Sequence, residues 1–314
     1  MLARFRRQRV AQGWVAIAPS GNRCRVACVG PATGQGRPQV LWTLEAPWDE
    51  PLATLREVKG RLGGSAHAMV VLLERGRYQM LPMEAPAVPA QEWRQAARWQ
   101  VKQMVDYPID SAAFDILTIP AHVTQRGQAS LIGIAAPREP IQALVNIADE
   151  AGVSLLAVDI PETALRNISA LLEEPGRGQA LLNVGSTHST LVVTAGAELL
   201  LSRAIEVSLL QLTHADADVR LQAFERTSLE LQRTLDSVER VFSQVSLSRL
   251  LVSPAERLED FLAYLRDLIY APVVPLDLAA AFDLSAVPEV AANPQLQSQC
   301  LAAFGAALRP GASA

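Results

Sequence analysis

The side chains that most often carry covalent chemistry are few in this sequence. Among 28 basic residues the only lysines are Lys59 and Lys102, so arginine supplies nearly all the positive charge. Neither lysine follows a glycine-rich turn, which excludes a Walker-type phosphate loop with its Gly-Lys-Ser/Thr. Both lie in segments of mixed polarity that are predicted to be helical, which argues against the buried lysine of a Schiff-base enzyme.

Cysteine and histidine do not form a metal-binding pattern. Cys24 and Cys28 share one face of a strand-like run, Cys300 is far away in the sequence, and the four histidines are scattered. Zinc sites need such ligands at close, regular spacing. The cysteines are therefore predicted to be small buried hydrophobic residues in a reducing compartment, and no metal site is predicted.

The composition indicates a globular chain of about two domains. It has 314 residues, of which 50% are hydrophobic and 19% are charged, so it can bury sizeable cores. Its net charge of −4 argues against a general nucleic-acid binder. No stretch resembles the ~20 mostly apolar residues of a membrane span. The basic start, MLARFRRQRV, could rest on an anionic membrane face or be a frayed terminus, and the sequence leaves both open.

Hydrophobic periodicity predicts two halves of similar design. The first is predicted to contain strands at 14–18, 23–29, 39–44, 112–119, 129–136 and 153–159, a hairpin of 67–73 with 76–81, and helices at 51–62, 90–105, 138–151 and 161–173. After a linker at 175–178, strands are predicted at 179–184, 189–194, 198–207, 248–253 and 273–277, and helices at 219–244, 256–270 and 295–308. Each half opens with a three-strand meander followed by helical crossovers, which predicts a duplicated α/β architecture with a ligand cleft between its lobes.

Collinear segments of the chain resemble PilM, the cytoplasmic actin-like protein of type IV pilus assembly. The segment LLNVGSTHSTLVVTAGAELLLSRAIEV at 181–207 is similar to the second phosphate-binding hairpin of actin-like ATPases. Further similar segments lie at 92–119, 134–168, 228–242 and 302–309, so the resemblance covers about 14–309. Within this family the sequence most resembles MshI, the component of mannose-sensitive (MSHA) pilus assembly. The cytoplasmic domain of the secretion protein GspL is a related alternative, but it carries a membrane anchor that has no counterpart here.

The resemblance implies an α/β, duplicated actin-like (ribonuclease H-like) two-lobed fold with a reduced second lobe. The first lobe is expected at 1–177, with an inserted subdomain at about 65–136. The second lobe is expected at 178–294, with a reduced insertion at about 213–245. A C-terminal helix at 295–314 is expected to pack back on the first lobe.

The resemblance also implies where a nucleotide site would lie. Actin-like ATPases hold Mg-ATP between two hairpins, each of which contributes an aspartate near the metal. Here Ala18 and Asn183 stand at those two positions, and Pro19 lacks the N–H that would bind a phosphate. The residues left at the degenerate site are Asn183, Gly185, Ser186, Thr187 and Gly305. The hairpin could be an ordinary polar turn or retain some anion binding, and close helix packing explains Gly305 equally well.

Two further segments depart from the family pattern in the same direction. Ser208-Leu209-Leu210 replaces a Gly-Gly-Asp sequence, and Pro254-Ala255 replaces a glycine-rich turn on the adenosine side. Side chains and a rigid ring obstruct close approach of a nucleotide. We therefore expect no ATP hydrolysis, weak or absent Mg-ATP binding, and no bound cofactor.

The family's partner is the short cytoplasmic N-terminal peptide of PilN, a bitopic inner-membrane protein, which binds a groove of the first lobe. The resemblance implies a PilN-like or MshJ-like partner here, beside other platform components. Candidate groove-lining residues are Trp93, Trp99, Met104, Tyr107 and Phe114, although core packing is the alternative for each of them.

Three functions are compatible with the sequence. The favoured one is a non-catalytic scaffold, located in the cytoplasm and peripheral to the inner membrane through its partners. The second is an adaptor that binds ATP without hydrolysing it. The third is a small-molecule kinase, which would need a carboxylate near the first-lobe loops, whereas Asp106, Asp110 and Asp115 lie on the insertion.

Overall fold

The computed structural model describes residues 13–309, apart from 33–35, 64–66 and 126. The basic segment at 1–12, for which membrane contact and fraying are the two alternatives, lies outside the described residues. No described helix is both long enough and apolar enough to cross a bilayer.

Strands and helices are mixed along the described chain. The strands are β1 Trp14–Ser20, β2 Arg23–Ala32, β3 Pro38–Pro47, β4 Ala68–Leu72, β5 Gln79–Glu84, β6 Ala112–Ile119, β7 Ser130–Pro137, β8 Leu155–Asp159, β9 Gly178–Val184, β10 Ser189–Ala195, β11 Glu198–Ile205, β12 Leu247–Val252 and β13 Val273–Pro275. The α-helices are α1 Pro51–Arg61, α2 Trp93–Gln100, α3 Arg138–Ala151, α4 Pro161–Leu172, α5 Leu209–Leu212, α6 Ala217–Val241, α7 Glu259–Leu268, α8 Leu278–Ala281, α9 Pro288–Ala291 and α10 Pro294–Ala306.

Two five-stranded sheets repeat one topology. The first lobe has the strand order β3-β2-β1-β4-β8 and the second has β11-β10-β9-β12-β13. In each, three antiparallel strands form a meander and the last two strands join in parallel. The predicted duplicated, two-lobed α/β fold is therefore confirmed.

A separate three-stranded sheet, in the order β5-β7-β6, extends from the first lobe. The predicted hairpin of 67–73 with 76–81 is wrong, because β4 pairs in parallel with β1 and β8, and β5 pairs with β7. All five residues of β4 are buried, which is typical of a central parallel strand. A turn at Gly76, with φ 87°, carries the chain out of the central sheet. The extra sheet thus starts at Gln79, after the insertion boundary expected near residue 65.

Helix boundaries follow local stop and start residues. Pro161 opens α4, where a missing N–H costs no hydrogen bond, and the Asp216 carboxylate accepts from the first backbone N–H groups of α6. Gly152 ends α3 in the left-handed conformation with φ 67°. The helix predicted at 90–105 is α-helical only in α2, with 3-10 turns at Ala90–Glu92 and Val101–Gln103.

The apolar core of the second lobe continues into the first. One continuous cluster includes Val70 and Ala27 of the first sheet, Leu181 of the second sheet, and Leu301 and Phe304 of α10. The opposite face of the first sheet packs against α1 and α3 and contains the buried thiols of Cys24 and Cys28, while Cys300 lies in the shared cluster. Burial raises the pKa of Cys28 to about 12, so its thiol stays protonated, as expected for a packing residue.

Helix α10 crosses back to the first lobe and packs on α4, β1 and β2. The contact with α4 is backbone to backbone at Gly305. A β-carbon placed there would lie 2.0 Å from the Ala164 carbonyl oxygen. The Asn167 amide donates to the Gly305 carbonyl oxygen at 2.9 Å, which ties the two helices together.

A second link between the lobes forms just before α10. The Asp283 N–H donates to the Pro38 carbonyl oxygen at 2.9 Å, and the Val40 N–H donates to the Asp283 carbonyl oxygen at 3.0 Å. These bonds add a parallel bridge to β3, the edge strand of the first sheet.

We expect Gly305→Ala to lower the free energy of unfolding by about 1–3 kcal/mol, as overpacked cores do. The added methyl group meets the rigid Ala164 backbone, so either helix must move. Urea denaturation measures the effect, and Gly60→Ala is the matched control because its β-carbon would meet nothing within 4 Å in α1. Equal stability of the two variants would contradict the close packing of α4 and α10.

Candidate functional site

The cleft between the lobes opens where the two hairpins turn. The β1–β2 turn contains Gly21, with φ 63°, and the β9–β10 turn runs from Gly185 to His188. The cleft has a volume of about 710 Å³. Its lining comprises Pro19, Ser20, Gly21, Glu74, Arg75, Gly76, Tyr78, Pro161, Glu162, Asn183, Gly185, Ser186, Thr187, His188, Thr190 and Glu206.

Four of the five predicted nucleotide-site residues lie together in this cleft. Asn183, Gly185, Ser186 and Thr187 all line it, on the second hairpin. Gly305 does not line it, and its assignment to the nucleotide site stays a prediction. Its lack of a side chain serves the contact between α10 and α4.

A backbone N–H in the turn of the first hairpin donates its hydrogen bond to a side chain of the protein itself. The Gly21 N–H donates to the Glu74 carboxylate (Oε1) at 2.7 Å. A phosphate-binding hairpin would offer this group to a ligand. Here a carboxylate from the residues after β4 occupies the acceptor position, and the neighbouring Pro19 has no N–H to offer.

An ion pair spans the cleft from lobe to lobe. Arg75 Nη2 lies 2.6 Å from Glu206 Oε1, and both side chains are largely exposed. The hydrogen bond from Arg75 lowers the pKa of the Glu206 carboxyl. Burial and the charge of Arg75 lower the pKa of His188, which keeps that ring neutral near pH 7. Because exposed pairs contribute at most about 1 kcal/mol, the contact can close the cleft without locking it.

The cleft lining includes three half-buried polar side chains, those of Tyr78, Glu162 and Asn183. The Tyr78 hydroxyl donates to Glu162 Oε2 at 2.5 Å. Burial raises the pKa of the Glu162 carboxyl, although the hydrogen bond from Tyr78 and the charge of Arg75 oppose that shift. Asn183 Oδ1 is buried and has no hydrogen-bond partner among the described residues.

The described residues contain no group of three or more histidine, cysteine, aspartate or glutamate side chains arranged to hold a metal ion. The segment after β11 begins with Ser208, which caps the short helix α5, and the Leu209 N–H donates to the Gly185 carbonyl oxygen at 2.8 Å. This bond connects the second hairpin to α5. Leu210 is 71% exposed and does not line the cleft.

A second cavity, here called the groove, lies in the first lobe between two sheet edges. One edge is β6 of the three-stranded sheet and the other is β8 of the central sheet. Helix α3 contributes Ile141 and Val145, and the volume is about 620 Å³. Five arginines share the lining with apolar side chains: Arg94, Arg98, Arg138, Arg166 and Arg309.

Guanidinium groups cover backbone carbonyl oxygens at the start of β6. The Ala112 carbonyl oxygen accepts from Arg98 Nη2 at 3.2 Å and from Arg138 Nη2 at 3.3 Å. The Phe114 carbonyl oxygen accepts from Arg94 Nε at 3.2 Å and from its Nη2 at 3.0 Å. An edge strand beside apolar side chains can bind an extended peptide through main-chain hydrogen bonds.

Of the five predicted partner-binding residues, only Phe114 lines the groove. Trp93 and Tyr107 pack against the core of the inserted sheet, and Trp93 Nε1 donates to the Val88 carbonyl oxygen at 3.0 Å. Trp99 and Met104 lie outside the groove and are 64% and 47% exposed. The structure does not bring these five residues together in one groove.

Sequence reasoning missed the charged residues of both cavities. Glu74 and Arg75 follow β4, and the ends of parallel strands are where α/β proteins place binding residues. Because 67–73 was predicted to be half of a hairpin, the residues after it were not expected at the end of a parallel strand. The groove arginines come from four separate parts of the chain, since Arg94 and Arg98 lie on α2 and the others lie on α3, on α4 and after α10, so no single local pattern marks them.

Comparison with known proteins gives a fold match and no sequence match. No known family model matches the sequence, and no curated protein matches it. A solved structure of a PilM-PilN type IV pilus biogenesis complex aligns with a TM-score of 0.69 at 20% identity, covering 95% of this chain and 99% of that chain.

Two other solved structures align less closely. The cytoplasmic domain of EpsL, an inner-membrane component of the type II secretion system of Vibrio cholerae, aligns with a TM-score of 0.43 at 12% identity over 66% of this chain and 76% of that one. A Bacteroides thetaiotaomicron protein with an actin-like ATPase fold aligns with a TM-score of 0.48 at 12% identity over 87% and 93% of the two chains. With its two lobes of identical strand order, this chain has the actin-like fold.

Proposed function

We propose that this chain is a non-catalytic, actin-like scaffold of a type IV pilus inner-membrane assembly platform. It acts in the cytoplasm and reaches the membrane through a bitopic partner. The groove between β6 and β8 carries the proposal, because it joins two sheet edges to an apolar floor and is large enough for a short extended peptide. The partner is the cytoplasmic tail of a PilN-like or MshJ-like protein, and the MSHA-type system is the one that the sequence resembles.

The chemistry of the cleft supports a role without catalysis. Hydrolysis in this fold needs carboxylates beside the metal ion and the attacking water. Ala18 has no polar side chain, and Asn183 offers a neutral amide in place of a carboxylate. The Glu74 carboxylate already accepts the hydrogen bond from the first hairpin's Gly21 N–H, and its negative charge would repel a phosphate there.

A nucleotide-binding adaptor is the second candidate. The observation in its favour is a cleft of about 710 Å³ with hydroxyl-bearing residues on the second hairpin. Binding would have to displace Glu74 from Gly21 and to accept Asn183 in place of an acidic metal neighbour. We therefore rank this function below the scaffold.

The scaffold role predicts binding of the partner's tail through the groove. Leu156 lines the groove and is 63% exposed, so Leu156→Arg should leave the fold intact and place a bulky charge in the peptide's path. We expect pull-down of a PilN-like or MshJ-like cytoplasmic tail to be lost. Leu210→Arg is the matched control, since Leu210 is 71% exposed and lies in the second lobe, and this variant should bind as the wild type does. Tail binding equal to that of a scrambled tail, or unaffected by Leu156→Arg, would refute this role of the groove.

Trp99 and Met104, which were predicted to line the groove, lie outside it, and we propose them as a second contact with the partner. Their exposure leaves them accessible on the inserted subdomain. Alanine at both positions in the same pull-down separates the two surfaces.

The degenerate cleft predicts that Mg-ATP does not stabilise the protein. A ligand at a hundred times its Kd adds about 2.7 kcal/mol to the free energy of unfolding, so micromolar binding would raise Tm measurably at millimolar nucleotide. We expect that adding Mg-ATP shifts the Tm of neither the wild type nor Asn183→Asp. Asn146→Asp on α3 is the control for the added charge. A Tm increase that Asn183→Asp enlarges and Asn146→Asp does not would favour the nucleotide-binding adaptor instead.

A further inference from the structure

The groove is positively charged although the whole chain is acidic. Five arginines and two aspartates line it, whereas the chain carries a formal net charge of −4. A local charge opposite in sign to the overall charge selects the partner that can approach it. The arginines therefore bear on the identity of the groove's occupant.

Two of these arginines share one neutral acceptor. Arg98 and Arg138 both donate to the Ala112 carbonyl oxygen, and Arg98 also donates to the Ile109 carbonyl oxygen at 2.5 Å. Neither forms an ion pair with a carboxylate in the part of the chain that the structure describes. By contrast, Arg94 lies 3.4 Å from Asp115, and Arg309 pairs with Asp159.

This arrangement leaves two guanidinium charges close together and uncompensated. Like charges held on a single carbonyl oxygen repel each other, and a carboxylate beside them would remove that repulsion. The planar guanidinium also matches the two oxygens of a carboxylate, so the pair is suited to bidentate binding. Arg98 is half-buried, which strengthens its interaction with an anion compared with a fully exposed charge.

A third arginine has unused hydrogen-bonding capacity in the same groove. Arg166 Nε is buried and has no hydrogen-bond partner among the described residues, and its Nη1 lies 3.9 Å from Glu198 on β11. Buried donors are usually satisfied, so an acceptor brought by the occupant would complete this side chain.

We propose that the groove recognises an extended peptide that bears an acidic side chain, whose carboxylate binds Arg98 and Arg138. This inference rests on the proposed function and specifies the chemistry of the peptide. A peptide fits better than a small anion, because Leu156, Ile141 and Val145 give the groove an apolar wall that a free anion would not use. The volume of about 620 Å³ also far exceeds a single carboxylate or phosphate.

The test uses the full chain and a phage-displayed library of random ten-residue peptides. Peptides selected on the wild type are resynthesised in two forms, one as selected and one with each Asp or Glu replaced by Asn or Gln. Their Kd values are measured by fluorescence polarisation against the wild type, Arg138→Gln, Arg98→Gln, Arg98→Lys and Leu156→Arg. Arg56→Gln is the matched control, because Arg56 is an exposed first-lobe arginine paired with Glu150 away from the groove.

We expect the selected peptides to combine apolar residues with at least one Asp or Glu. Neutralising that residue, or Arg138, should weaken binding on the order of tenfold, since hydrogen bonds between charged groups are stronger than those between neutral ones. Once Arg138 is Gln, the acidic and neutral peptides should bind more nearly alike, whereas Arg56→Gln should change neither. Arg98→Lys should retain more affinity for the acidic peptide than Arg98→Gln, and Arg138→Gln provides the test if Arg98→Gln does not fold.

Three results would overturn the proposal, and they differ from one another. If Leu156→Arg abolishes binding of the peptides but the peptides show no acidic preference, the groove remains a peptide site and the carboxylate assignment is refuted. If Leu156→Arg does not change peptide binding, the groove is not the peptide site, and the proposed function is refuted with it. Inorganic phosphate titrated alone is the second arm, and phosphate binding without an acidic preference among peptides would assign Arg98 and Arg138 to a small anion.

Discussion

Backbone contact between α4 and α10 fixes how the two lobes lie against each other. Gly305 leaves no room for a side chain beside the Ala164 carbonyl, and the Asn167 amide holds the same turn of α10. Helix α4 also packs on the second sheet, so one helix touches both halves of the shared core. The first turns of α4 separate the two cavities, because Pro161 and Glu162 line the cleft while Thr163 and Arg166 line the groove. A change in the position of α4 would alter both cavities together.

Several polar groups of the cleft form hydrogen bonds with other groups of the protein, whereas in a ligand-binding site they would be available to the ligand. A carboxylate of the chain, Glu74, accepts from the first hairpin, and Arg75 reaches across to Glu206. The turn of the second hairpin is closed by a bond from the Gly185 N–H to the His188 carbonyl oxygen at 3.1 Å. Of the groups facing the cleft, the buried Asn183 Oδ1 is left without a described partner. The turns of both hairpins are therefore bonded to other groups of the protein.

The fold was predictable because most of its strands carry a clear local signal. Two-residue turns that contain glycine join β1 to β2 and β10 to β11, and collinear segments of the sequence indicate the architecture. The hairpin error at 67–81 arose because a short apolar run, VVLL, looks the same in a hairpin and in a central parallel strand. The pairing of β4 with β1 and β8 joins strands that are distant in the sequence, so the residues next to β4 do not indicate it.

Site residues were predictable only where a motif carried them. The second hairpin brings Asn183, Gly185, Ser186 and Thr187 together in the cleft, whereas Gly305 lies in the contact between α10 and α4. The aromatic residues of the insertion looked like a binding surface, but Trp93 and Tyr107 pack on its core. The arginines of the groove are brought together from distant parts of the chain, so only the tertiary structure could show their convergence.

The position of α10 also has a consequence for biosynthesis. It covers β1 and β2 with a helix that the ribosome makes about 270 residues after them. At typical synthesis rates of about 5–20 residues per second, the apolar face of the first sheet waits many seconds for that cover. During this interval the nascent first lobe presents Ala16, Ala27 and Val29 without their final neighbours. The architecture that joins the lobes so closely thus makes the unfinished chain a natural substrate for chaperones.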